Sequence, residues 1–207
     1  MIYLIGAGGH GKVVADTFLL NGCLLAIADG DPALEGTSLL GIPVEREESV
    51  LINLNQPVDF FVSIGDAGSR RKVSERWEER GHRLIRAIHP TAIISRSATL
   101  ELGVCLLAGV IIQTDCHIGK GAIVNNGVTV DHDGKIGDYV HLAPGVHLAG
   151  NVEVGEESWI GIGSSVREGI HIGPRAMVGA GSVVVEDIPG DVVAYGNPCK
   201  VARSLKR

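Results

Sequence analysis

The sequence predicts two architectures in series: a doubly wound α/β unit over residues 1–88, then a parallel β-helix over 89–190, with a short tail at 191–207. Three observations carry this. From Ile94 to Val184 every sixth residue is Ile, Leu or Val, sixteen in a row without a slip. The fifth residue of each of those hexads is small or branched, as at Ala98, Cys116, Gly134, Ser158 and Ser182. Before residue 89 the hexads vanish, and apolar runs alternate with helix-like segments around one glycine cluster.

Residues 2–5 are wholly apolar, which suits a strand buried on both faces of a parallel sheet. Gly6-Ala7-Gly8-Gly9-His10-Gly11 follows, and a helix is expected to open at Lys12 and close at Asn21-Gly22. A second strand over 23–28 ends at Asp29. Residues 30–57 are less regular, with a short extended piece at Gly41-Ile42-Pro43-Val44 and a helical turn over 47–52. A third strand, 59–64, ends at Gly65-Asp66. A helix with a mixed charged face covers 69–80, and Gly81 leads to a fourth strand, 84–88. Apolar strands alternating with helices make a small α/β unit, half of a Rossmann-like fold.

His89-Pro90 then makes a sharp entry into the repeats. Each hexad supplies one short wall and a corner, and three walls close a triangular coil of 18 residues. The aliphatic residues stack along the axis at about 4.8 Å per coil. Sixteen hexads make a little over five coils. A glycine count of 29 and an aromatic content of 4% suit tight corners and narrow coils. The tail leaves through Gly196-Asn197-Pro198 and ends basic, with Lys200, Arg203, Lys206 and Arg207.

Composition excludes several classes. A net charge of −6 and a pI near 5.7 argue against an electrostatic nucleic-acid binder. There is no apolar run long enough for a membrane span, and the opening strand has no basic region of a signal peptide. Cys23, Cys105, Cys116 and Cys199 have neither CxxC nor zinc spacing, so they read as core residues of a reduced, cytoplasmic protein.

Gly6-x-Gly8-x-x-Gly11 lies between a strand and a helix, where backbone N–H groups approach a pyrophosphate at the helix N-terminus. Asp29 ends strand two, 18 residues after Gly11, and suits a ribose or a base edge. A dinucleotide needs two βαβ halves and only one is present, so the half-site suits a nucleoside diphosphate; the plainer reading is a tight turn in a structural cap. His132, His141 and His147 cluster in the most polar part of the repeat, residues 125–150. At 18 residues per coil, Gly150 stacks on His132 at about 5 Å. His141 is half a coil from His132 and falls on another wall. The two would meet around one small substrate only across a subunit interface, which predicts an oligomer. His132 suits a general base. Asp131 and Asp133 compete to orient it, and Asp133 reaches the ring only from a corner conformation, since neighbouring strand residues point to opposite faces. For His117, His147 and His171 a solvated surface role is the plainer reading.

The whole chain resembles bacterial sugar acetyltransferases of the PglD/NeuD type, within the hexapeptide-repeat acyltransferases. The resemblance rests on the Gly6–Gly11 loop, Ser63-Ile64-Gly65-Asp66 with Arg70, Ile88-His89-Pro90, Val130-Asp131-His132-Asp133, the run 136–145, Ala149-Gly150-Asn151 and Gly196-Asn197-Pro198. It implies a left-handed β-helix and a homotrimer with sites between neighbouring subunits. It implies acetyl-CoA as co-substrate, a nucleotide-linked amino sugar as acceptor, and no metal. His132 would be the general base and Asp133 its orienting acid. His141 and the Gly150 N–H would contact the acetyl group, and Gly161, Gly179 and Gly181 would let the pantetheine approach. Gly8, Gly9, His10 and Gly11 would hold phosphates, with Asp29 and Asp66 near the nucleoside. The expected activity is N-acetylation of a nucleotide-linked 4-amino-4,6-dideoxy sugar (UDP, GDP or dTDP) in surface-glycan synthesis. The rivals are O-acetylation of a sugar such as sialic acid, a non-enzymatic nucleotide-sugar-binding subunit, and a zinc enzyme using three of the repeat histidines, which the glycine-rich cap disfavours.

Overall fold

The apolar run Ile2–Ile5 is β1, an inner strand of a six-stranded sheet in the computed structural model, which describes residues 1–205. The other strands are β2 (Leu25–Asp29), β3 (Ser38–Leu39), β4 (Ile42–Arg46), β5 (Asp59–Val62) and β6 (Arg83–Leu84), in the order β3-β4-β2-β1-β5-β6. All neighbours are parallel except the β3–β4 hairpin. The helices are α1 (Gly9–Leu20), α2 (Glu47–Asn53) and α3 (Ala67–Glu79). Alternation along β5 separates them. Phe61 meets Phe18 of α1 at 5.7 Å between ring centroids, while Phe60 faces the other way onto Trp77 of α3 at 5.2 Å. Trp77 is fully buried with Val50 and Leu51 of α2.

Two local expectations are corrected and a third is extended. Helix α1 opens at Gly9, not Lys12, because its first turn packs on the preceding loop: a Cβ at Gly11 would lie 2.3 Å from Gly6 O. Tertiary contact overrides the low helix propensity of glycine there. In the stretch 30–57 the expected extended piece and helical turn are β4 and α2, and a 3₁₀ turn at Pro32–Leu34 and the β3–β4 hairpin add order that the pattern does not show. The fourth strand divides into Arg83–Leu84 and Ala87–Ile88.

Met1–Pro90 and Thr91–Arg207 form separate compact units. The second is a left-handed parallel β-helix. Its sixteen two-residue strands each end on the aliphatic residue that opens a hexad, from Ile93–Ile94 to Val183–Val184. Pairing runs at 18 residues, as in Cys105↔Ile123↔His141 and Ile111↔Thr129↔His147. From Leu106 onward every aliphatic opener is buried. The buried serines at the fifth position answer coil backbone: Ser158 Oγ donates to Gly173 O at 2.9 Å and Ser164 Oγ to Gly179 O at 3.1 Å. The glycines that follow an aliphatic opener are a stacking device. A Cβ at Gly119, Gly137, Gly155 or Gly173 would lie 2.3–2.7 Å from the next coil. The expected tail is instead a hairpin: Val192–Gly196 continues the Met177–Val178 wall and pairs with Cys199–Ser204. Lys206 and Arg207 lie outside the described residues.

Candidate active site

The loop of the first unit is built from β1, β2 and β5. Gly6 takes φ +111°, and Ser63 Oγ donates to its carbonyl at 2.7 Å. Gly8 caps α1 without a side chain, and Gly8 and Gly9 face open space. Their N–H groups therefore form an anion-ready helix start. Asp29 lies where the β2 position predicts, but both carboxylate oxygens accept backbone N–H groups: Oδ2 from Ala7 at 2.6 Å and Oδ1 from Asp31 at 2.8 Å. It pins the glycine loop. Asp66 caps α3 by accepting from the Ser69 N–H at 2.8 Å, and its hydrogen bonds to Ser69 hold its carboxyl below the usual range. Arg70, quoted above only as part of a motif, is buried and donates through Nη1 to Ile64 O and Gly65 O, each at 2.8 Å. His10 is pushed down to about 4, first by burial and then by the Arg70 charge, so its imidazole is neutral at pH 7.

In the second unit the decisive feature is the corner at 131–134. Asp133 adopts φ +59°, and this left-handed turn brings its Oδ2 to 2.8 Å from His132 Nδ1. Asp131 turns away and accepts the His132 backbone N–H at 2.8 Å. The structure thus selects Asp133 as the acid on the ring. A carboxylate only accepts, so Nδ1 carries the proton and Nε2 offers its lone pair. The Asp133 hydrogen bond is also the largest cause raising the His132 pKa, and the charges of Asp131 and Asp133 act in the same direction. The ring lies over Gly150: a Cβ there would sit 2.5 Å from Nε2. The Gly150 N–H has no acceptor among the described residues. Below the corner, Cys116 Sγ donates to Asp131 O at 3.0 Å; its thiol is pushed up by burial.

His141 sits on a different wall from His132, between Ile123 and Trp159. Asn125 Oδ1 accepts the Asn126 N–H at 2.8 Å, so its Nδ2 faces His141 Nε2 at 3.4 Å. The Trp159 ring meets His141 edge-on, with centroids 6.5 Å apart. Neither Asn125 nor Trp159 stood out in the sequence; the 18-residue register with His141 was the signal for Trp159. His147 is engaged through Nδ1 with Thr129 Oγ1 at 2.9 Å. Beside the His132 corner, the wall bearing Gln113, Thr129 and His147 holds a depression of about 400 Å³. Gly161 and Gly179 owe their lack of side chain to the fold itself, with Cβ positions 2.6 Å from Ala180 N and 2.7 Å from Tyr195 Cβ, while Gly181 opens onto free space. Among the described residues no group of three or more His, Cys, Asp or Glu is arranged to hold a metal.

Residues 1–77 match the PglD N-terminal domain family, and residues 151–185 match the bacterial transferase hexapeptide (six repeats) family. PerB from Caulobacter crescentus, solved with CoA and GDP-perosamine, is 41% identical, with a TM-score of 0.92 over 98% of this chain and 97% of that one. The chain belongs to the PglD-like family of hexapeptide-repeat sugar acetyltransferases. It is an acyltransferase of that family. The acetyltransferase domain of PglB from Neisseria gonorrhoeae, solved with acetyl coenzyme A, is 38% identical with a TM-score of 0.92, over 97% of this chain and 98% of that one. UDP-N-acetylbacillosamine N-acetyltransferase of Bacillus subtilis (strain 168) is 37% identical over 112 residues, which span 52% of this chain and about half, 51%, of that relative.

Proposed function

We propose that this enzyme transfers the acetyl group of acetyl-CoA to the 4-amino group of a nucleotide-linked 4-amino-4,6-dideoxy sugar. The observation that carries this reading is the His132–Asp133 pair set over a bare Gly150. The amine nitrogen attacks the thioester carbonyl, a C–N bond forms, the C–S bond breaks and CoA leaves as thiolate. His132 Nε2 takes the proton released by the amine and returns it to the thiolate. The free Gly150 N–H, with His141, meets the developing oxyanion. Attack is direct, because no serine or cysteine of the sequence sits in a nucleophile motif. Acetyl-CoA lies along the coils past Gly161, Gly179 and Gly181. The phosphates of the acceptor sit on Gly8, Gly9, His10 and Gly11, with Asp29 and Asp66 framing that site. The working assembly is a cytoplasmic homotrimer in which His132 and His141 of neighbouring subunits face one substrate. The product tests the reaction type: an amide survives mild alkali, and an acetyl group lost there as acetate would identify an O-acetyltransferase.

A further inference from the structure

The fifth residue of a hexad lies beside a corner of the next coil. Where it is valine, that corner closes on itself. One coil after Val110 the Val128 N–H donates to Asn125 O at 3.2 Å, and one coil after Val128 the Val146 N–H donates to Ala143 O at 3.3 Å. Two serines do otherwise. Ser158 Oγ, which donates to Gly173 O, also accepts the Ala176 N–H at 3.0 Å. Ser164 Oγ, which donates to Gly179 O, accepts the Ser182 N–H at 3.3 Å. Each hydroxyl bridges the two ends of a corner, 15 and 18 residues further along the chain.

Cys116 does the same with sulfur. Its Sγ donates to Asp131 O, 15 residues on, at 3.0 Å, and the Gly134 N–H hydrogen-bonds the sulfur. No backbone N–H among the described residues donates to Asp131 O. The corner that carries His132 and Asp133 is thus closed through a buried thiol. Burial pushes that thiol up, so it stays protonated and remains a donor at pH 7. Gly134 is the only glycine among the sixteen fifth positions. A Cβ there would lie 2.6 Å from Val130 Cγ1 and 3.5 Å from Cys116 Sγ, so glycine leaves room for the bulkier sulfur. At 1% exposure Cys116 touches no substrate. What it touches is the backbone whose turn brings Asp133 Oδ2 to His132 Nδ1.

We propose that Cys116 is a positioning residue: its thiol joins Asp131 O to the Gly134 N–H and so fixes the corner in which Asp133 holds the His132 ring. Its effect on turnover rests on the proposed function; its effect on the ring does not. The test is NMR titration of the His132 imidazole, beside turnover, in the full-length wild type, Cys116→Ser, Cys116→Ala and Cys116→Val. Serine should serve, because Ser158 and Ser164 make the same bridge. Alanine and valine occupy fifth positions at Ala122 and Val128, so the coil accepts them, but they offer no bridge. Valine, nearer cysteine in bulk, carries the comparison should alanine fail to fold. The charges acting on the ring are those of Asp131 and Asp133, so a loosened corner shows directly in its titration. Wild type and Cys116→Ser should titrate above an ordinary histidine. In the alanine and valine variants the pKa should fall toward the ordinary value, and kcat should drop about tenfold with the KM for acetyl-CoA unchanged. An unmoved His132 titration in the apolar variants, or a fall in Cys116→Ser equal to theirs, would overturn the proposal. A titration that moves as expected with undiminished turnover would uphold the positioning and remove His132 as the base.

Discussion

At the residue scale, His132 suits the proposed role of general base because one neighbour turns it and another leaves it room. Asp133 reaches Nδ1 only through its left-handed φ, and Gly150 leaves the space that Nε2 faces. Replacing His132 by Ala should lower kcat by about 100- to 10,000-fold, the usual range for a general base. Asp133→Asn should act through pH. If His132 is the base, its raised pKa predicts that wild-type kcat/KM should fall as pH drops through a value above that of an ordinary histidine. Without the carboxylate the pKa falls, so the acid limb of the profile should move to lower pH while the plateau drops. An unmoved limb in Asp133→Asn would show that this acid does not set the base. Gly150→Ala would push a methyl into the ring and should lose activity with the fold intact, which circular dichroism and turnover would separate. The stacking of Gly150 on His132 was legible, because an 18-residue coil makes it arithmetic. The choice between Asp131 and Asp133 was not, because it depends on one backbone dihedral at a corner. The loop-pinning role of Asp29 was hidden for a similar reason: its partner is the Ala7 N–H, and only the folded loop aims that donor.

At the scale of the element, the hexad sets everything in the second unit. Leu142 is fully buried in the stack, and Leu142→Ala should cost about 2–5 kcal/mol of stability, read by denaturant unfolding. Gly155→Ala would place Cβ 2.4 Å from Pro174 N and should cost about 1–3 kcal/mol by forcing adjacent coils apart. Sixteen strands ended where the period put them because the repeat leaves no freedom: an inserted residue would turn every later aliphatic out of the core. The first unit was less legible. The β3–β4 hairpin has little period of its own and exists because β4 adds to the β2 edge. Likewise α1 begins on Gly9-His10-Gly11, where Gly11 is needed for its close approach to Gly6 rather than for helix propensity.

At the scale of the whole molecule, His132 and His141 lie on different walls of one prism, so the proposed site, which uses both, needs a second subunit to complete it. Light scattering should give three times the 21.7 kDa chain mass. Mixing His132→Ala with His141→Ala protein after co-refolding should restore part of the activity, because some interfaces then hold one intact copy of each histidine. Recovery of nothing from that mixture would place both histidines in a single subunit's site. The most direct measurement is release of free CoA from acetyl-CoA in the presence of GDP-, UDP- and dTDP-linked 4-amino sugars and free sialic acid, for wild type and His132→Ala. Turnover of a nucleotide-linked amino sugar by wild type, lost in the variant, is the predicted result; turnover confined to sialic acid, or undiminished in the variant, would contradict it.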